Sequence, residues 1–260
     1  MKIGVCADIE KATIIKEQGI VGIDYIEENM SKLLALTDTE FASRVRDYER
    51  LDVPVYSFNV FFAGDTQLYG EEFLKEAGAY ARKAFSRAAA LGGKICVVGS
   101  GKARNIPDGF SRAYCEERFA DILSILGERA EDFGIRLAVE PLNKGETNFI
   151  NSVVEAADMA RRVGQGSVGS LVDFYHFFKE GEGDEALLKA GDCIIHSHMA
   201  APDATVKRMP IESDLPAIEH WARLLERIGF AEAISIECRY GDFAAELCER
   251  LKYLEPFRRL

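Results

Sequence analysis

The chain has 260 residues, 48% of them hydrophobic and 29% charged, with a formal net charge of −11 at pH 7. That length suits one large domain whose core needs no disulfide or metal staple. The negative balance repels polyanions, which argues against nucleic acid or an anionic membrane surface as partner and opposes, without forbidding, a phosphorylated substrate.

The chain enters a strand at once, through Met1-Lys2-Ile3-Gly4-Val5, with no signal-like stretch and no apolar run of membrane length, so the expected location is the cytoplasm. Short β runs then alternate with amphipathic helical runs to the end. Strands are predicted at 2–5, 22–26, 53–58, 94–98, 135–139, 168–172, 193–197 and 233–236. Helices are predicted at 11–18, 39–50, 71–91, 111–133, 152–163, 184–190, 214–228 and 242–254. Ser152-x-x-Glu155 reads as a capping box, and Gly92, Gly134, Gly164 and Gly229 stand where helices should stop. The six cysteines (Cys6, Cys96, Cys115, Cys193, Cys238, Cys248) form no C-x-x-C pair, and free thiols in a reducing compartment explain them best.

Alternation of this kind requires parallel strands with right-handed crossovers, and about eight repeats close into a barrel. The expected fold is α/β, a (β/α)8 TIM barrel, as one domain over residues 1–260. No G-x-G-x-x-G follows the first strand, which speaks against a dinucleotide-binding open sheet.

In such a barrel the residues at the C-terminal ends of the strands build the active site. The fifth strand alternates Ile135, Leu137 and Val139 with Arg136, Ala138 and Glu140, and Pro141 ends it. Taken alone, a strand-end acid is usually solvated and a lone histidine usually a satisfied core residue. Here four consecutive strands end in a ligand type: Glu140, then Asp173, then His196 and His198, then Glu237. Three carboxylates and an imidazole make an oxygen-rich site that suits Mn²⁺, Mg²⁺ or Co²⁺ better than a thiolate zinc site would.

The motifs Glu140-Pro-Leu-Asn143, Asp173-Phe-Tyr-His176, His196-Ser-His198 and Ser235-Ile-Glu237 carry a resemblance. In this order, over nearly the whole chain, the sequence resembles the xylose isomerase-like TIM-barrel superfamily, which includes ketose 3-epimerases, hydroxypyruvate isomerase and inosose dehydratase. The resemblance implies one divalent metal ion held by Glu140, Asp173, His198 and Glu237, with Mn²⁺ first and Mg²⁺, Co²⁺ or Zn²⁺ as alternatives. It implies that Glu140 and Glu237 double as the proton-transferring pair, that Glu146 pairs with His176 on the substrate side, and that His196 stands beside the ligands. Arg208, or Lys207, would reach a substrate oxygen. The loop carrying them, 199–210, departs from the family's Asn-Arg and Pro-Gly pattern, and substrate identity turns on that loop.

The implied activity is that of an isomerase or epimerase of a ketose or keto-sugar acid. The C–H beside a carbonyl is weakly acidic, the metal stabilises the developing enediolate, and two carboxylates remove and return the proton. The alternative is a dehydratase or lyase of a keto-cyclitol, or a subunit of a C-glycoside-cleaving complex, because an enediolate can also expel a β-hydroxyl. An apurinic endonuclease needs more histidines than the four present and a basic groove. A non-catalytic sugar-binding module should have lost a ligand. The expected partner is a small sugar or keto acid, with neither nucleic acid nor membrane, and a homo-oligomer is compatible with the sequence. Lesser candidates are the Gly99–Arg104 loop as an anion cradle, Phe58, Phe61 and Phe62 as pocket wall or core, and Glu27 and Arg239 as polar contacts.

Overall fold

The computed structural model describes every residue from Met1 to Leu260. Eight parallel strands pair in sequence order and close on themselves: β1 (Lys2–Cys6), β2 (Tyr25–Asn29), β3 (Val55–Asn59), β4 (Ile95–Val98), β5 (Arg136–Val139), β6 (Val168–Asp173), β7 (Ile194–Met199) and β8 (Ala233–Ile236). Helices between them form the outer ring, the longest being Glu71–Ala90 and Arg112–Glu131. No helix is long and apolar enough to cross a membrane.

Period-2 alternation sorts the side chains. Val5, Ile26, Cys96, Val98, Leu137, Val139, Val172, Ile234 and Ile236 join the continuous core beneath the helices. Inside the barrel a small apolar cluster of Ile95, Val97, Ala138 and Leu171 packs on Tyr56 and Ile195. Outside it, Trp221 stacks on Phe174 with ring centroids 4.6 Å apart. Gly4 is a glycine for space: a Cβ there would collide with the ring of Tyr25, which turns into the barrel.

Two strands differ from expectation in a way that matters for the site. β2 begins at Tyr25, three residues later than predicted. Gly22 takes a left-handed φ of 97°, and the Asp24 carboxylate accepts the Ile3 amide at 2.7 Å, so residues 22–24 form the turn that docks the strand. Glu27 consequently lies within the sheet, opposite Cys6 and Ser57. β7 runs on through Met199, which puts His198 in register with Asp173 and Ser235.

Short helices unforeseen in the sequence also follow strand ends. Met30–Ala35 is capped by Asn29 on the Lys32 amide, and Phe174–Lys179 by Asp173 on the Tyr175 amide. Ser152 caps its helix as expected, but Glu155 accepts the amide of Asn151, one residue before the cap, rather than closing the box on Ser152 itself.

Candidate active site

Glu140 follows β5 directly, its amide tied to Val98 O on β4. Its carboxylate lies over Gly99, where any Cβ would collide with Glu140 Oε2. Glu237 occupies the same position after β8, its amide bonded to Met199 O. Between them, β6 and β7 present Asp173 and His198 side by side. One donor atom from each of Glu140, Asp173, His198 and Glu237 lies within 4.8 Å of all the others. His198 Nδ1 is the hub, 3.0 Å from Glu140 Oε1 and 3.2 Å from Glu237 Oε2.

Three carboxylates this close require positive charge. Lys207 supplies it, its Nζ donating to Asp173 Oδ2 at 2.7 Å and to Glu237 Oε2 at 2.6 Å. Burial disfavours both carboxylates, but the Lys207 charge, helped by His176 at Asp173 and by His198 at Glu237, holds them below the usual carboxylate range. The same pairing reverses the effect of burial on Lys207, whose pKa stands well above the ordinary lysine value. His198 behaves alike: burial would lower its pKa, and the Glu27 and Glu140 charges raise it well above 6.5.

The loop after β7 aims Lys207 inward. Asp203 accepts the amides of Thr205 and Val206, and Arg208 is taken up by Asp203 at 3.2 Å and by Asp214 at 2.7 Å. Arg208 therefore braces the loop from outside, and its neighbour Lys207 is the cation at the centre. The expected direct pair of Glu146 with His176 is also rearranged. Asn143 stands between them, its amide group 2.8 Å from Glu146 Oε1 and 2.8 Å from His176 Nδ1. Because the Asn143 backbone N–H also points at Nδ1, that nitrogen accepts, and the His176 proton sits on Nε2, 3.5 Å from Asp173 Oδ2. Glu146 itself is exposed.

His196 is fully buried and turned away from the four donors, its Nε2 2.9 Å from Glu27 Oε2. Glu27 is the residue that sequence reasoning undervalued. It also accepts the hydroxyls of Ser57 and Ser235, both at 2.6 Å, and its Oε1 lies 2.7 Å from His198 Nε2. Burial alone would raise its pKa, but the two histidines hold it well below the carboxylate norm. The signal was present in Tyr25-Ile26-Glu27, whose alternation places Tyr25 and Glu27 on one face, but it was hidden by starting the strand too early. Phe58, Phe61 and Phe62 are wholly buried, the latter two packing on Tyr80, and so belong to the core. In the Gly99–Arg104 loop, Arg104 is completely buried and its three side-chain nitrogens have no hydrogen-bond partner.

The donor set fits a single divalent cation. Oxygen donors from three carboxylates and one imidazole nitrogen converge, a glycine makes room for one of them, and an ammonium already bridges two.

The sequence profile of the xylose isomerase-like TIM barrel family matches residues 14–256. The chain belongs to that family. It is 26% identical over 121 residues to a protein of Synechocystis sp. named a probable ketose 3-epimerase, the match covering 46% of this chain and 41% of the relative. A D-psicose 3-epimerase of Enterocloster bolteae is 30% identical over 100 residues, covering 38% and 31%. The matched stretch thus spans less than half the length of these curated relatives. Among solved structures, a 3-keto-D-glucoside 4-epimerase from E. coli superposes with a TM-score of 0.76 at 21% identity, covering 98% of this chain and 99% of that one. The IolI protein, solved with a zinc atom bound, superposes with a TM-score of 0.73 at 18% identity, covering 99% and 96%. At these identities the superpositions speak for the fold.

Proposed function

We propose that the protein is a divalent-metal-dependent epimerase or isomerase of a ketose or keto-sugar acid, with Mn²⁺ as its ion. The observation that carries the reading is the convergence of Glu140, Asp173, His198 and Glu237 on one point at the strand C-termini. The curated relatives, one named a probable ketose 3-epimerase and one a D-psicose 3-epimerase, support the substrate class.

Those four residues would hold the ion, which when bound would supply Lewis-acid polarisation of the substrate carbonyl and the adjacent hydroxyl. The chain's own residues then move the proton. Glu237, held ionised beside Lys207 and His198, removes it from the carbon next to the carbonyl. Glu140, across the imidazole from Glu237, delivers a proton of its own to the enediolate, while Glu237 keeps the one it took. Delivery to the same carbon inverts it; delivery to the neighbouring carbon isomerises the sugar. With Asp173 and Glu237 among the residues that would hold the ion, the Lys207 N–H donors would be free for a substrate oxygen and would take the role first considered for Arg208. The Tyr175 ring, 5.3 Å from Lys207 Nζ, keeps the chain of Lys207 over the site. His176, its tautomer fixed by Asn143, offers Nε2–H to a substrate hydroxyl.

The test is a panel of ketoses and keto-sugar acids incubated with Mn²⁺-loaded protein in deuterated water and followed by NMR. The expected result is deuterium at the carbon beside the carbonyl together with an epimer or isomer. Loss of water from the substrate would replace this reading with the dehydratase one. A metal-loaded protein that exchanges no proton on any of them would defeat it.

A further inference from the structure

We infer that Arg104 is a specificity-determining residue: its buried guanidinium takes the carboxylate of a keto-sugar acid, so that the site favours such an acid over a neutral ketose. The inference rests on the epimerase or isomerase reading above and narrows its substrate class.

Arg104 ends the short helix Gly101–Arg104 that follows β4. Ser100, just before that helix, has a left-handed φ of 42°, and its hydroxyl oxygen accepts the Phe62 amide at 2.9 Å from the loop after β3. Tyr69, on that same loop, donates its hydroxyl to Arg104 O at 2.6 Å. On the other side Gly101 sits against the loop after β5, where a Cβ would come within 2.8 Å of Glu146 O. Asn105 accepts the Asn148 amide there at 3.0 Å. The turn is held from both sides, and none of these contacts uses the Arg104 side chain. Lys102, Ala103 and Asn105 line a surface cavity of about 300 Å³ with Gly64 and Tyr69. Arg104 does not line it and is directed into the protein, with no exposure.

Inside, nothing receives it. Nε, Nη1 and Nη2 are all buried without a hydrogen-bond partner. Other cations drawn into this fold are matched: Arg87 donates to Leu36 O and Asp38, and Lys207 to Asp173 and Glu237. An ion taken out of water with no partner is among the most costly groups a fold can carry. Burial lowers the Arg104 pKa to about 10 against the opposing pull of Glu140 and Tyr69, so the guanidinium is charged at neutral pH. Glu140 is the carboxylate whose charge it feels, and that carboxylate is already engaged, with Oε1 at His198 Nδ1 and Oε2 over Gly99. Arg104 therefore points its charge toward the active centre and lacks an anion of its own.

A guanidinium presents its N–H donors as a planar fork and accepts nothing. Sugar hydroxyls would satisfy single donors and leave the charge bare. A carboxylate matches the fork with a pair of parallel hydrogen bonds and cancels the charge. A phosphate dianion would bring surplus negative charge toward Glu140, Asp173 and Glu237. Because the loop is fixed, the part that adapts to the ligand is the arginine stem, which swings the fork to the group entering beside Glu140. The competing role is structural: a counter-charge that steadies Glu140 through space and has no ligand.

The experiment compares native protein with Arg104→Met, which removes the charge and keeps the Tyr69 bond to the backbone. Metal-free protein is titrated with gluconate, with sorbitol as its uncharged counterpart and inorganic phosphate as a second anion. Gluconate should bind the native protein and bind the variant roughly 10- to 100-fold more weakly, the worth of a hydrogen bond to a charged group. With Mn²⁺ bound, ketohexoses and their matched ketohexuronates, differing only in CH₂OH or carboxylate at the end remote from the carbonyl, are followed by deuterium exchange. Native kcat/KM should favour the acids, and the substitution should remove that preference through KM. Without ligand the variant should melt at or above the native temperature, because an unpaired buried charge is gone. A variant that fails to fold or melts lower would assign Arg104 to the fold, and an equal loss of kcat on acid and ketose would assign it to Glu140. Gluconate that native protein does not bind, or binds as well after the substitution, or that phosphate matches, would show that no carboxylate site is here. Each of these results overturns the inference. Native protein that exchanges a proton in no sugar would defeat the proposed function instead, and the gluconate titration would still decide the role of Arg104.

Discussion

The two halves of the barrel divide the labour. β5 to β8 each bring one donor to the centre, and three of the four (Glu140, Asp173 and Glu237) stand at the last residue of a strand or one beyond it. β1 to β4 bring none to that quartet. They contribute Glu27 and Ser57 from within strands, and Gly99 just after β4. A reacting group must sit where the chain leaves the sheet and its side chain can reach the axis. A group that orients another is better placed mid-strand, where ladder hydrogen bonds on both sides fix it. The largest expected effects therefore lie in the second half. On the proposed function, Glu140→Gln or Glu237→Gln should lower kcat by roughly 10³-fold or more, since each would remove a proton carrier. The measurement is solvent deuterium incorporation at saturating Mn²⁺, with bound metal quantified in parallel. Exchange at near-native rate with metal retained would remove these two residues from the proton pathway.

Gly99→Ala probes the supporting half. The added methyl would collide with Glu140 Oε2, which has to move by something like the length of a bond. A displacement of about 1 Å at a reacting group costs on the order of 10²-fold in rate. The expected outcome is a drop of that size in kcat, smaller than for Glu140→Gln, with the far-UV spectrum unchanged. Native activity in this variant would mean that the first half does not hold the second in place.

Much of this division was legible in the sequence, and what was missed has physical causes. The eight-strand barrel follows from alternation, because crossover helices force parallel strands and eight of them close. The four donors were legible because they end consecutive strands. What could not be read was the partner of each. Glu27 shows no anomaly in sequence; its importance arises from a three-residue shift in the start of β2, which depends on Asp24 reaching the Ile3 amide 21 positions away. Lys207 and Arg208 are adjacent cations in one loop, and only the packing of Asp203 and Asp214 around Arg208 decides which of them turns inward. Asn143 between Glu146 and His176 is a similar case, since the sequence can bring Glu146 and His176 to one site without telling whether they meet directly or through a third side chain.

Lys207 lies on the boundary of the comparison, being a loop residue that serves the ligands without being one. Lys207→Met leaves Asp173 and Glu237 without the ammonium that bridges them. Removing one partner of a mostly buried ion pair is destabilising, by about 2–3 kcal/mol here because Lys207 keeps some exposure. The metal-free variant should therefore melt below the native protein, and Mn²⁺ should restore most of the difference. With metal bound, kcat/KM should fall about 10-fold through loss of one charged hydrogen bond to substrate. If the melting temperature of the metal-free variant does not change, Lys207 is not the counter-ion of this centre.

The smallest effect is expected at a titrating group in the second half but outside the barrel, where the division predicts a change in stability and none in catalysis. Glu182 accepts the Val153 amide at the start of a helix, and burial, reinforced by Glu180 and Glu155, pushes its pKa from 4.5 up to about 7. The folded state thus binds this proton more tightly than the unfolded chain does. Its contribution to stability is present below the unfolded value of 4.5 and is lost as pH rises through 7. Glu182→Gln has no proton to lose and can still accept the Val153 amide. It should match the native protein near pH 4 and exceed it near pH 8 by about 1–2 kcal/mol, discounted for partial exposure from 1.36 kcal/mol per pKa unit. Denaturant unfolding at the two pH values reads this difference directly, and kcat should be native at both. A stability gap independent of pH would place the effect in packing rather than in the proton, and a change in kcat would carry the influence of this outer helix into a centre that the division assigns to the strand ends alone.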